Sequence, residues 1–193
     1  MRHLSQENME KISQAVKTIL EALGADVQNK DLAQTPDRVA RMYDEVFEGM
    51  RYTNQEIADA YGKCFDAPEN SDMVAVTGIE AFSYCEHHIA LMYNFTVNVA
   101  YIPNKKIIGL SKIPRIVEMV CKRLQLQERI GTDIAWILEE ILDTKDVMVV
   151  IKGEHACLTT RGIKKPGAKT TTMTVHGRFK ADESLRRDFL ALC

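Results

Sequence analysis

The chain has 193 residues, of which 46% are hydrophobic and 27% charged. That is the make-up of one globular domain, or of a core with a helical arm, and excludes a disordered segment or two full domains. Twenty-five Lys and Arg against 27 Asp and Glu leave a net charge of −2, which gives no support to a nucleic-acid or membrane-surface binder. No apolar run nears the roughly 18–20 residues of a membrane span. Residues 1–8 lack the apolar stretch of a secretion signal, so a cytoplasmic chain is expected. The five cysteines (Cys64, Cys85, Cys121, Cys157 and Cys193) are odd in number and widely spaced, which favours metal binding or burial over a disulfide scaffold.

Ser5 caps a predicted helix in which Met9, Ile12, Val16, Ile19, Leu20 and Leu23 recur at steps of three and four, with Gly24 as its stop. A second helix is predicted from Thr35-Pro36, with Thr35 as N-cap and Pro36 in the first turn. Its stripe is Val39, Met42, Tyr43, Val46 and Phe47, and Gly49 closes it. Ala67 to Ser71 is turn-rich and marks a shift in composition. Beyond it a strand is expected over Met73 to Ile79. A half-buried strand follows where Phe95, Val97, Val99 and Tyr101 alternate with Thr96, Asn98 and Ala100. Pro103-Asn104 turns the chain into two predicted helices, Lys112 to Leu124 and Glu128 to Leu142. Strands at Val147 to Ile151 and Thr170 to Val175 come next, then a closing helix over Ser184 to Leu192. The order is α+β: a helical arm over 1–66, then strands, a helix pair and strands over 67–193.

The chemistry concentrates at Cys85-Glu86-His87-His88, where Cys-x-x-His sets a thiolate and an imidazole within reach of one ion. His155-Ala156-Cys157 supplies further ligands, with His and Cys expected on one side of an extended segment. Three readings stand on spacing. Cys85, His88 and Cys157 hold zinc with a fourth position open to water; or His155 closes a structural Cys₂His₂ site; or no metal binds. Cys64, Cys121 and Cys193 have no ligand-spaced neighbour and read as buried or incidental thiols. With His88 on a metal, His87 is free to carry protons or only to orient its neighbour. Gly109-Leu110-Ser111-Lys112-Ile113-Pro114-Arg115 enters a helix with Ser111 as N-cap, and Arg161-Gly162-Ile163-Lys164-Lys165 adds positive charge near Cys157. Both suit a phosphate-rich substrate, or are solvated basic faces. In Gln125-Leu126-Gln127-Glu128, a buried Glu128 carboxylate could pair with a guanine's N1–H and 2-amino group; otherwise it is a good first-turn residue.

With these residues in view, the chain resembles the GTP cyclohydrolase I family from Thr35 to Leu192. The resemblance rests on Thr35-Pro36-Asp37-Arg38-Val39-Ala40, Cys85-Glu86-His87-His88, Val99-Ala100-Tyr101-Ile102-Pro103 and Gly109-Leu110-Ser111-Lys112. It continues through Arg115-Ile116-Val117, Gln125-Leu126-Gln127-Glu128-Arg129, His155-Ala156-Cys157 and Arg161-Gly162. It implies a tunnelling fold (T-fold), an antiparallel sheet with two helices packed on one face, preceded by the N-terminal helical arm. It also implies a toroidal homodecamer of two pentamers with sites at subunit interfaces. The implied metal is Zn²⁺ on Cys85, His88 and Cys157, lowering the pKa of water towards about 7. The implied reaction is hydrolytic opening of the imidazole ring of GTP with formate release and rearrangement to 7,8-dihydroneopterin triphosphate, the first step of tetrahydrofolate and pterin synthesis. His87 would protonate the purine N7 and His155 would act on the ribose ring oxygen. Glu128 would anchor the guanine, and Gln127 counts among the substrate-binding residues. Lys112, Arg115 and Arg161 would bind the triphosphate together with Ser111, which also counts among the catalytic candidates. Arg38 matches a further phosphate-side arginine, in its own or a neighbouring subunit's site.

The chain departs from the family pattern at Ile89 to Asn94, where many relatives carry Pro-Phe and a Gly, at Ala168 in place of a small hydroxyl residue, and at Gly131. A glycine inside a helix costs about 1 kcal/mol in propensity. Competing readings are a zinc-stabilised purine or pterin binder, a nitrile reductase of the same fold, and an assembly protein with a closed zinc. Paired His87 and His155 speak against the first, and the joint Cys-Glu-His-His and His-x-Cys motifs against the second. Only about 30 residues precede Thr35, so a long regulatory extension is not expected.

Overall fold

The computed structural model describes residues 2–69 and 72–193, so Asn70 and Ser71 of the turn-rich stretch lie outside the described residues. By its own contacts the chain divides into Met1–Arg51 and Tyr52–Cys193. In the smaller unit, helices α1 (Gln6–Ala22) and α2 (Thr35–Val46) pack together and are followed by a 3₁₀ turn at Glu48–Arg51. The Ser5 hydroxyl accepts a hydrogen bond from the Asn8 amide at 3.2 Å, the cap expected of it. Thr35 does not cap α2 but begins it. Its amide bonds back to the Leu32 carbonyl, and the preceding Gln34 already has helical backbone, whereas a capping side chain needs an extended one. Gly49 falls within the 3₁₀ turn. Asp44 gathers the unit's ends: it accepts from the Leu4 amide at 2.8 Å and pairs with His3 at 2.7 Å and Arg51 at 3.2 Å.

The larger unit is α+β. After α3 (Asn54–Tyr61), a two-stranded ladder pairs β1 (Cys64–Asp66) with β4 (Lys106–Ile108). The main sheet runs β5-β2-β3-β6-β7 and is antiparallel except for the β2–β5 pair. Its strands are β2 (Val74–Cys85), β3 (Ala90–Tyr101), β5 (Leu124–Gln125), β6 (Val147–His155) and β7 (Thr170–Val175). Helices α4 (Lys112–Cys121), α5 (Gln127–Leu142), α6 (Ala156–Thr159), α7 (Gly177–Ala181) and α8 (Glu183–Leu192) complete it. The unit begins before the 66/67 boundary read from composition because α3 packs on α4 and α5.

Period two decides which residues meet which helices. Val97, Val99, Tyr101, Val147, Val149 and Ile151 face one side and build the main core with α4 and α5. The alternate residues Ala100, Ile102, Met148 and Val150 face the other side, where Phe179 of α7 and Phe189 of α8 cover them. The apolar helix pair therefore has a smaller counterpart on the opposite face. α7 carries no sequence signal of its own beyond Phe179.

Two glycines set close approaches. A Cβ on Gly131 would lie 2.5 Å from Thr174 Oγ1, so the glycine that weakens α5 by propensity lets that helix close onto β7. A Cβ on Gly153 would lie 2.2 Å from the ring of Phe95, which is 2% exposed and has no room to retreat. Gly153→Ala is therefore expected to destabilise the protein by about 1–3 kcal/mol, the cost of overpacking a core. The check is the urea midpoint, which should fall with an unchanged slope.

The ladder also fixes what stands at one end of the sheet. Cys85 pairs with Ala90 across the β2–β3 turn and with Gln125 of β5, while Met92 of β3 pairs with His155 of β6. Segments far apart in sequence thus end side by side.

Candidate metal centre

Cys85 is the last residue of β2 and is buried, whereas Glu86, His87 and His88 occupy the exposed turn that follows. The turn closes by a hydrogen bond from the Ile89 amide to the Cys85 carbonyl at 3.0 Å, with Ile89 at a φ of 52°. On the neighbouring strand the chain leaves β6 at His155 and coils at once into α6, which carries Cys157. The expected extended His-x-Cys segment is thus half strand and half helix, and the coil carries Cys157 off the line of β6.

The outcome is a group of three ligands. The Sγ atoms of Cys85 and Cys157 and a ring nitrogen of His88 all lie within 4.8 Å of one another. His155 is not in that group, and its Nε2 instead lies 2.8 Å from Gln127 Oε1. The described residues thus gather three candidate ligands at one point, with His155 turned to Gln127. Two soft sulfur ligands and one imidazole fit a zinc-like cation, with one tetrahedral position left over. Burial pushes the Cys157 thiol above its ordinary value, and the neighbouring Cys85 pushes it further, while Arg161 pulls it down. A cation among the ligands would invert that balance, since metal binding deprotonates thiols.

Around this group, the His87 and His88 rings stand edge to face with centroids 6.3 Å apart. Burial holds the His155 imidazole below its ordinary value, against an upward pull from the Glu128 carboxylate. Glu128 itself is exposed, not buried as the guanine-anchor reading supposed, because it sits on the solvent side of the first turn of α5. Gln127 is 1% exposed and turned into the sheet. Ser111 precedes α4 in the N-cap position but makes no side-chain cap. The first amides of that helix, Lys112 and Ile113, already bond to the Gly109 and Leu110 carbonyls at 2.8 and 3.2 Å. Anion binding there would fall to side chains. Those of Ser111, Lys112, Arg115 and Arg161 make no hydrogen bond or ion pair among the described residues, which leaves them available. Arg38 belongs to the smaller unit, where its guanidinium lies 3.2 Å from Gln34 Oε1.

A family model described as GTP cyclohydrolase I matches residues 12–193. The chain belongs to the GTP cyclohydrolase I family. It is 57% identical over 185 residues to the GTP cyclohydrolase 1 of Clostridium acetobutylicum, covering 94% of this chain and 95% of that protein. Identity to the enzyme of the same name from Clostridium botulinum (strain Kyoto / Type A2) is 54% over 186 residues, covering 94% and 95%. The Ruminiclostridium cellulolyticum one is 53% identical over 187 residues, covering 94% and 96%.

Sequence reading did not single out the polar scaffold beneath the Cys-Glu-His-His turn of this family member. Arg129 donates from Nε to Gln125 Oε1 at 2.7 Å and pairs with Glu86 through its outer nitrogen. Gln125 donates to Asp133 Oδ2 at 3.0 Å, and Asp133 pairs with Arg123 at 3.1 Å and accepts from Asn54 at 3.0 Å. The four-residue spacing of Arg129 and Asp133, which share one face of α5, was the available signal, whereas Gln125 joins them from β5. Burial draws the Arg123 guanidinium below its ordinary value, and the Asp133 carboxylate offsets this. Asp133→Ala would remove the carboxylate from that guanidinium, which keeps its bonds to Asn54 Oδ1 at 2.8 Å and the Tyr52 carbonyl at 3.0 Å, with a loss of about 3 kcal/mol in urea unfolding. Loss of less than about 1 kcal/mol would place the pair among ordinary surface bridges.

Proposed function

We propose that this chain opens the imidazole ring of GTP by hydrolysis, releases formate and rearranges the remainder to 7,8-dihydroneopterin triphosphate. The observation that carries the reading is the three-ligand group of Cys85, His88 and Cys157 with His155 held apart, in a chain of the GTP cyclohydrolase I family. Cys85, His88 and Cys157 would hold Zn²⁺, which supplies Lewis acidity and a water made nucleophilic near neutral pH. His87, exposed beside His88, would protonate the purine N7 and so make C8 electrophilic. His155 would donate a proton to the ribose ring oxygen as the bond from that oxygen to C1′ breaks, and burial, which disfavours the imidazolium, makes it a readier donor.

Glu128, exposed and close enough to His155 to act on it electrostatically, would accept from the guanine N1–H and 2-amino group. Adenine would leave that carboxylate unpaired once the seated base has excluded water from it, which is the basis for rejection. Lys112, Arg115 and Arg161, with the Ser111 hydroxyl, would take the triphosphate, and Arg38 would add a further phosphate-side charge. Their binding is positioning energy that fixes C8 where the reaction occurs. The same reading includes the tunnelling fold, the homodecamer of two pentamers, a cytoplasmic setting and the first step of tetrahydrofolate synthesis. The sheet with its α4–α5 layer agrees with that fold, and no helix among the described residues is long and apolar enough to cross a membrane.

Cys85→Ser and Cys157→Ser are each expected to lose the metal and all turnover, read by metal analysis beside the assay. Normal turnover in either would refute the ligand set. His155→Ala should keep its zinc and lose turnover, whereas joint loss of both would restore the closed site. Glu128→Gln should keep zinc but lose preference for GTP over ATP, and an unchanged preference would place guanine recognition elsewhere.

A further inference from the structure

Gln127 was expected to touch the substrate, but its contacts give it other work. Its Nε2 lies 3.1 Å from the Ile151 carbonyl, 3.1 Å from the Thr170 carbonyl and 3.2 Å from Thr172 Oγ1. Backbone carbonyls only accept hydrogen bonds, so the amide atom facing two of them has to be the nitrogen. A flipped amide would set oxygen against oxygen at both. Neighbouring strands supply these acceptors, since Ile151 pairs with Thr172 and Gly153 with Thr170 across the β6–β7 ladder. The sheet therefore decides which way the amide points, independently of the histidine.

The other end of the amide then follows. Oε1 lies 2.8 Å from His155 Nε2, and an amide oxygen cannot donate. For this contact to be a hydrogen bond, Nε2 must carry the hydrogen. His155 Nδ1 has no hydrogen-bond partner among the described residues, and no buried side-chain nitrogen or oxygen there lacks one. Nδ1 is consequently reached by solvent.

We infer that Gln127 is a positioning residue which fixes His155 as its Nε2–H tautomer and leaves Nδ1 as the ring nitrogen presented to substrate. The inference rests on the reading of His155 as a proton carrier given above. It places Gln127 outside the substrate contacts and assigns the direction from which the sugar must approach the ring. Gln127 resembles the carboxylates and carbonyls that orient catalytic histidines, except that it is uncharged and can hold the ring without stabilising a cation upon it.

The test is a two-bond proton–nitrogen correlation spectrum of the full-length, zinc-loaded protein labelled with ¹⁵N-histidine, in mildly alkaline buffer. His155 signals are assigned by their loss in His155→Asn. The expected pattern has the nitrogen coupled to both ring carbon protons, Nε2, in the protonated range and Nδ1 in the unprotonated range. Protonation at Nδ1, or a mixture of tautomers, would overturn the inference. Because the spectrum requires no turnover, it stands or falls separately from the proposed reaction. A second arm uses Gln127→Leu, which keeps the volume but can neither accept nor donate. Its kcat should fall about 10–100-fold, less than the 10²–10⁴ of an acid–base group itself, with zinc content and the KM for GTP unchanged. An unchanged kcat, with or without a raised KM, would return Gln127 to the substrate contacts or to a passive role.

Discussion

Two cysteine sulfurs from distant parts of the chain are held, with a histidine nitrogen, in a space 4.8 Å across, and most of the larger unit follows from that demand. Two thiolates so close oppose each other, since burial and Cys85 both push the Cys157 thiol upward. The scaffold has to impose their approach. It does so through β3, which pairs with β2 on one side and β6 on the other. The end of β2 that carries Cys85 is thereby brought beside the end of β6 that leads into Cys157.

One short segment then braces both halves of the centre. Gln125 and Arg129 reach the Cys-Glu-His-His turn through Glu86, and Gln125 also holds the turn by backbone, accepting from the Glu86 amide at 3.1 Å. Gln127, lying between them, points the other way into β6 and β7 and grips His155. Strand β5 gives way to helix α5 inside this segment, so successive side chains leave in different directions and one stretch serves two supports. Glu128 faces solvent from the same turn. The residue proposed to read the base is thus rigidly tied to the residues that hold the metal turn and the second histidine, and a base seated on Glu128 is placed relative to both.

Much of this was legible in the sequence where the signal is local. The alternation from Phe95 to Tyr101 gave the central strand, Thr170 to Val175 gave β7 to the residue, and Cys-x-x-His with a distant Cys pointed to the three side chains that the fold gathers. What could not be read depends on partners far along the chain. β1, β4 and β5 are two- or three-residue strands defined only by what they pair with. Cys157 was placed on an extended segment because a helix of four residues, α6, leaves no periodicity to find. The inward turn of Gln127 exists only because the β6–β7 register puts the Ile151 and Thr170 carbonyls beneath it. Gly131 looked like a weakness in a helix, and only its neighbour Thr174 reveals it as the condition for close packing.

Whether this centre performs a complete ring-opening and rearrangement is addressed most directly by one assay. The purified, zinc-quantified protein is incubated with GTP, and formate release is followed alongside pterin fluorescence after oxidation. Formate and pterin in equal amounts are the predicted result. Zinc-loaded protein that binds GTP and yields neither product would contradict the account and leave a nucleotide-binding protein in place of the enzyme.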